Sequence, residues 1–358
     1  MAWLAPLTIQ SHRGPYAVHF EERPFAALAA TGTERRHFVI DARVAALYAT
    51  QLAPILQAPS VLCVDANESS KSMERFPNYV RHFVDQGARR ADCLVAIGGG
   101  VIQDITAFLA ATLFRGLDWE FHPTTLLAQA DSAIGSKSSL NVGTLKNVLG
   151  TFTPPRAVHI ATAVLDTLAD VDIRSGIGEM LKVHIVSGPE QFGTIARDYA
   201  ALRADHVLLA RYIRRSLDLK RGFIERDEFD RDQRLVMNYG HSFAHAIETA
   251  TNFAVPHGIA VSMGMDLANW VAVARGEMAA AHYDRMHGVL RDNWTGFSQT
   301  DVPLDRMLHA LGHDKKNTAA RLALILPGPD AVPRRVEVDN DAGLASSCGT
   351  WLDHALRS

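Results

Sequence analysis

The sequence predicts an α/β domain over residues 1–170 and a mainly α-helical domain over residues 171–358. Three observations predict this. At 358 residues the chain can hold two cores, because single cores stop growing near ~250–300 residues. Short apolar runs alternate with helix-length stretches through the first half, a parallel α/β pattern. From about residue 171 strand signals nearly vanish, which puts the boundary near 165–175.

In chain order, 37–41 (HFVID), 60–65 and 93–97 (CLVAI) are short apolar runs, as expected for strands buried on both faces. A helix-length stretch at 71–90 lies between the second and third. After Ile97 come Gly98, Gly99 and Gly100, then the apolar helix VIQDITAFLAATLF, then a strand at 118–122 that ends in HPTT. The second half reads as helices at 178–188, 206–226, 233–251, 257–275 and 277–293, with strands only at 321–326 and 335–338. No internal repeat or low-complexity tract interrupts the pattern.

Composition narrows the function. The net charge of −3 leaves no nucleic-acid footprint, so basic residues should matter locally, around an anionic ligand. No apolar run approaches the ~20 residues of a membrane span, and no signal-peptide pattern opens the chain. Cys63, Cys93 and Cys348 are too few and scattered for a disulfide framework or a cysteine metal site. Cys63 and Cys93 read as small buried hydrophobes, and a reducing cytoplasm is the expected location.

Several residues could carry chemistry. The triple glycine lets backbone N–H groups approach a pyrophosphate at a helix N-terminus, although Gln103 stands where a third fingerprint glycine belongs. It is either a phosphate cradle or a plain tight turn. Segment 122–147 gathers Thr124, Thr125, Asp131, Lys137, Asn141, Lys146 and Asn147, which suits an anion cradle or a polar surface loop. His241 and His245 lie four apart on one helix face, and His257 follows Pro256 at a helix start. Two imidazoles and a distant third ligand suit a catalytic metal, and the missing ligand would be a carboxylate. Glu179 is a candidate, or it merely pairs with Lys182 three residues on. Lys220, Arg234, Lys315 and Lys316, taken singly, read as solvated charges.

Together these segments resemble a family. IGGGVIQDITAFLAATLFRG, PTTLLAQADSAIGSKSSLN, LKNVLGTF, GIGEMLK, MNYGHSFAHAIE, HGIAVSMGM and HDKKN look like the successive motifs of 3-dehydroquinate synthase, in family order. The wider group is the sugar phosphate cyclases. The resemblance implies a Rossmann-like NAD-binding N-terminal domain, a helical metal- and substrate-binding domain, and a homodimer. It implies zinc, or cobalt, on Glu179, His241 and His257. It places NAD contacts on Asp41, Glu68, Lys71, Gly99, Gly100, Asp104, Thr124, Thr125, Asp131 and Lys146. Substrate contacts and catalytic roles fall on Asp131, Lys137, Asn147, Lys182, Lys220, Arg234, Asn238, His245 and one or both of Lys315 and Lys316. Arg115 matches an arginine that reaches the partner subunit's phosphate site.

The implied reaction eliminates phosphate from 3-deoxy-D-arabino-heptulosonate 7-phosphate and closes the ring to 3-dehydroquinate. Arg234 favours that substrate, because a guanidinium pairs in two-pronged fashion with a carboxylate. Gly135-Ser136-Lys137-Ser138 stands where the family has Gly-Gly-Lys-Thr, and Gly143-Thr144-Leu145 replaces Pro-Leu-Gly. Such departures keep open a cyclase of secondary metabolism, of the amino-dehydroquinate, 2-deoxy-scyllo-inosose or valiolone type. An NAD- and metal-dependent alcohol dehydrogenase is the alternative from another class, and a non-catalytic binding protein is the last. Neither explains Lys137, Lys146, Asn147 and Arg234 as well.

Overall fold

The computed structural model describes residues 4–143, 145–312 and 321–357. The chain divides into two units. The first comprises residues 1–168 with 221–229, and the second 169–220 with 230–358.

The first unit is built on a seven-stranded sheet. Its order is β1 (Leu7–Ile9), β2 (Tyr16–Phe20), β9 (Ala157–Ile160), β6 (Asp118–Pro123), β5 (Cys93–Gly98), β3 (Arg36–Asp41) and β4 (Val61–Val64). Only β1 and β2 pair antiparallel; every other neighbour is parallel. Central β5 is buried throughout, which its unbroken apolar run dictates. β4 has a single neighbour, and Cys63 on it is exposed, not buried as its apolar run suggests. Helices α1 (Ala26–Thr31), α2 (Ala42–Leu47), α3 (Ala53–Leu56), α4 (Phe76–Asp85) and α5 (Gly100–Thr112) complete the alternation. From β3 the chain steps outward to β4, then returns across β3 to β5 and continues the other way to β6. The carboxyl ends of β3 and β5 therefore flank a switch point, where parallel sheets bind ligands.

Segment 122–147 is not a loop. After β6 it forms one π-helical turn, Ala128–Ser132, and then the hairpin of β7 (Lys137–Val142) and β8 (Leu145–Phe152). Few β-branched residues mark these strands, so the hairpin left little trace in the pattern.

The second unit contains α6 (Asp170–Val186), α7 (Pro189–Asp198), α9 (His241–Ala250), α10 (His257–Ala274), α11 (Ala280–Asn293), α12 (Leu304–Gly312) and α13 (Ala342–Thr350). A long helix, α8 (His206–Arg226), contributes its last turn and a half to the first unit. Strands β10 (Arg321–Pro327) and β11 (Pro333–Asp339) pair antiparallel. The expected helix over 233–251 is broken. A 3₁₀ turn, Gln233–Asn238, precedes α9, and Gly240 at φ +77° separates them. A Cβ on Gly240 would lie 2.8 Å from Met265 N, so glycine is required there. Among the described residues no helix is long and apolar enough to cross a membrane.

The core of the second unit holds a proton-linked group. His184 in α6 is wholly buried, its Nδ1 2.7 Å from Met180 O. Burial pushes its pKa down from 6.5 to about 4. The folded chain keeps the ring neutral where the unfolded chain protonates it, so stability is lost as pH falls from about 6.5 towards about 4. The full effect is roughly 3 kcal/mol. Urea unfolding at pH 7.0, 5.5 and 4.5 should show a shallower acid loss for His184→Leu than for the wild type; equal slopes would remove His184 from the acid response.

Candidate active site

The site in the second unit begins with two glycines. A Cβ on Gly178 of α6 would lie 2.1 Å from Gly258 O, and one on Gly258 of α10 would lie 1.8 Å from Ser175 O. The two backbones touch, and Ser175 Oγ accepts from Gly258 N at 2.9 Å. α9 and α10 approach in the same way, since a Cβ on Gly264 would lie 2.2 Å from Gly240 O. Three of these four glycines sit beside a candidate ligand in the chain: Gly178 before Glu179, Gly240 before His241, Gly258 after His257.

The consequence is convergence. Glu179 Oε1 lies 3.1 Å from His257 Nε2 and 3.6 Å from His241 Nε2. These three residues can offer ligand atoms that all lie within 4.8 Å of one another. Two ligands at ~2.0–2.1 Å from one tetrahedral ion sit about 3.3 Å apart, so the spacing fits a shared cation. The far side of each group is held. His241 Nδ1 is 3.2 Å from Tyr239 O, and His257 Nδ1 is 3.4 Å from Glu248 Oε2. Lys182 Nζ is 2.6 Å from Glu179 Oε2, so the expected i,i+3 pair forms alongside the cluster.

Electrostatics suit the donors. Glu179 is only 2% exposed. Burial alone would raise its pKa, but Lys182, His241 and His257 hold the carboxyl well below the usual range. Burial, then Lys182, pushes His241 well below 6.5, which keeps its imidazole neutral. Burial also disfavours the His257 cation, but Glu179 and Glu248 override it and push the pKa up to about 10. Without a cation His257 holds its second proton, which a bound ion would displace; an anionic oxygen and two neutral imidazoles are then a set that zinc or cobalt accepts.

His245 is exposed, its ring 5.6 Å from that of His241 and 5.9 Å from that of His257. Glu248 escaped the sequence reading, though it follows His241 by seven residues and shares its helix stripe. Lys220 and Arg234 are buried, Arg234 in the turn before α9. Asn238 Nδ2 donates to Leu235 O at 3.1 Å within that turn. Lys315 and Lys316 lie outside the described residues.

The first unit gathers the other candidates. Gly99 caps α5 at the end of β5, and a Cβ there would lie 2.9 Å from Thr125 Cγ2. Gly100 opens α5, and Thr124 N donates to Gly98 O at 2.9 Å. Asp41 ends β3 and caps α2 through Arg43 N at 2.9 Å. Buried Lys71 reaches Asp104 Oδ2 at 2.9 Å, Asn147 Oδ1 at 2.8 Å and Glu68 Oε1 at 3.6 Å. Gln103 fills the missing glycine's place and exchanges 2.6 Å bonds with Ser132, in the turn that carries Asp131. Lys137 and Lys146 are exposed on the hairpin. Arg115 stands apart. It is exposed in a turn where Phe114, Arg115 and Gly116 all have positive φ, beyond the far end of α5 from the glycine turn.

A second grouping, Glu120, His122 and His159, has ligand-like spacing. Arg36 and Arg156 occupy both Glu120 oxygens, and the His122 and His159 rings stack at 4.6 Å. A dication would face two guanidiniums, so packing and ion pairing account for this cluster.

Comparison with known proteins agrees with this layout. The family described as 3-dehydroquinate synthase N-terminal matches residues 61–175, and 3-dehydroquinate synthase C-terminal matches residues 176–317. The chain is 36% identical over 328 residues to the 3-dehydroquinate synthase of Xylella fastidiosa (strain M12), covering 87% of this chain and 88% of that one. Among solved structures it is similar to 2-epi-5-epi-valiolone synthase from Streptomyces hygroscopicus subsp. jinggangensis 5008, with NAD+ and Zn2+ bound. That match has a TM-score of 0.80 at 29% identity and covers 94% of this chain and 97% of that one. It shares its fold with 2-deoxy-scyllo-inosose synthase complexed with carbaglucose-6-phosphate, NAD+ and Co2+. There the TM-score is 0.85 at 21% identity, over 97% of this chain and 99% of that one.

The glycine contacts can be tested without substrate. Gly258→Ala should destabilise the chain by about 1–3 kcal/mol or more and lower its Co2+ uptake, because helix backbones must part. Gly193→Ala, at an open helical position, should stabilise by about 0.5–1 kcal/mol. Thermal unfolding and metal analysis read both; an unaffected Gly258→Ala would remove the close crossing as a requirement.

Proposed function

The chain belongs to the 3-dehydroquinate synthase family, and from that premise we propose that it converts 3-deoxy-D-arabino-heptulosonate 7-phosphate to 3-dehydroquinate with release of phosphate. The observation that carries this reading is the convergence of Glu179, His241 and His257 beside Lys182, in a unit that also buries Lys220 and Arg234. NAD and one zinc or cobalt ion are the proposed cofactors, in keeping with the ligands of the solved relatives. NAD would supply reversible hydride acceptance from a substrate secondary alcohol, and the cation would supply Lewis-acid polarisation of that oxygen.

Glu179, His241 and His257 would hold the cation. Lys182 keeps Glu179 ionised, and its ammonium faces the same space. Asp41, Glu68, Lys71, Gly99, Gly100, Asp104, Thr124, Thr125, Asp131 and Lys146 would contact the dinucleotide at the switch point of the sheet. Asp131, Lys137, Asn147, Lys220, Asn238 and His245 would contact substrate, with Lys315 and Lys316. Arg234 would pair with the carboxylate. No side-chain base is assigned, because the substrate's own phosphate can take the proton. Holding two anions in one pose makes positioning much of the catalysis. We place the enzyme in the cytoplasm as a homodimer, with Arg115 projecting from its strained turn towards a second subunit.

The altered segment leading into β7, Gly135-Ser136-Lys137-Ser138, favours one second reading: a cyclase for an uncharged sugar phosphate. Incubation with the heptulosonate phosphate, sub-stoichiometric NAD+ and Zn2+ should release phosphate without net NADH, and Arg234→Ala should lower kcat/KM by about 100-fold. No phosphate from this substrate would reject the first reading. Release from glucose 6-phosphate or sedoheptulose 7-phosphate, insensitive to Arg234→Ala, would select the second. Steady NADH accumulation would point to a dehydrogenase.

A further inference from the structure

We propose that Glu248 is a positioning residue that orients His257 for the cation and tunes how tightly the cation is held. The inference rests on reading Glu179, His241 and His257 as the ligand set.

An imidazole that binds an ion through one ring nitrogen leaves the other to be fixed by its surroundings. The two histidines solve this differently. His241 follows the Gly240 break, and that break brings Tyr239 O to 3.2 Å from its Nδ1. His257 is the first residue of α10 and is 36% exposed, and its Nδ1 is met by a side-chain carboxylate where that of His241 meets a carbonyl. Its Nε2 faces Glu179 Oε1 at 3.1 Å, so Nδ1 points the other way, and Glu248 Oε2 meets it at 3.4 Å. Glu248 is less exposed than the ring it meets, at 13%. It lies on α9, while His257 begins α10, so the contact spans two helices whose backbones already touch at Gly240 and Gly264.

A carboxylate at Nδ1 selects the tautomer with its proton on that nitrogen. The Nε2 lone pair is then directed at the ion, and the ring becomes a stronger donor. A carbonyl does the first of these for His241; a charged acceptor does both for His257. Glu248 also has ligand-like spacing with His245 and His257, so direct coordination is the competing role. The geometry points to positioning, because Glu248 sits on the opposite edge of the His257 ring from Glu179.

The test uses the full chain, with zinc affinity measured by competition with a chromophoric chelator and the visible spectrum of the Co2+ form as a coordination reporter. NAD+ affinity serves as a control for folding. Glu248→Ala should weaken zinc binding about 10–100-fold, and Glu248→Gln, which keeps an acceptor, should weaken it less. Both should retain the wild-type Co2+ band pattern and bind NAD+ within about twofold of the wild type. Zinc affinity within twofold of wild type in both variants would overturn the positioning role alone. A changed Co2+ spectrum in Glu248→Gln would overturn it in favour of ligation. Failure of the wild-type chain to take up zinc would instead remove the ligand set, and with it the premise. Should Glu248→Ala not fold, Glu248→Gln decides by itself.

Discussion

The close crossing of α6 and α10 at Gly178 and Gly258 is the constraint on which the candidate metal centre depends. Helix axes usually stand 8–10 Å apart because side chains intervene. Here a Cβ on either glycine would fall about 2 Å from a backbone oxygen, so nothing larger than hydrogen fits. The approach carries Glu179 to His257, although 78 positions separate them in the chain. The Gly240–Gly264 contact adds His241 on the same principle. Three ligand candidates are thus brought together by helix backbones, which are stiffer than loops and hold a site more closely.

Bringing these groups together creates an electrostatic problem, and the arrangement of partners offsets it. A buried carboxylate is disfavoured unless a cation pairs with it, and Lys182 does so at 2.6 Å while the His241 and His257 rings line its other oxygen. Each Glu179 oxygen has a separate duty: Oε2 faces Lys182, and Oε1 faces the histidines. The contrast with Glu120, His122 and His159 shows why spacing alone does not identify a cation site. There the Glu120 carboxylate is already matched by two arginines, whose positive charge opposes an ion beside it.

Much of this was legible beforehand, for identifiable reasons. β3 and β5 and the glycine turn announced themselves because a strand buried on both faces leaves an unbroken apolar run. His241 and His245 stood out because helical spacing is readable locally, and Glu248 could have been read by the same rule. The β7–β8 hairpin is hard to read because β7 is mostly polar, Gly150 interrupts β8, and its order comes from Lys71 and Asp104, which bond Asn147 and Ser139 across the chain. The pattern over 233–251 reads as one helix because a single glycine inside an apolar pattern does not declare its φ. Cys63 reads as buried but is exposed, because strand composition does not reveal which strand ends a sheet.

The sequence by itself determined the fold class, the family and the identity of the three ligand candidates, because apolar periodicity and motif order are properties of the chain read along its length. The tertiary structure alone decided that Glu179 meets the two imidazoles, which ring nitrogen each turns inward, and that Glu248 stands behind His257. Those outcomes depend on which backbones touch, and contact between segments remote in the chain is set by packing in three dimensions.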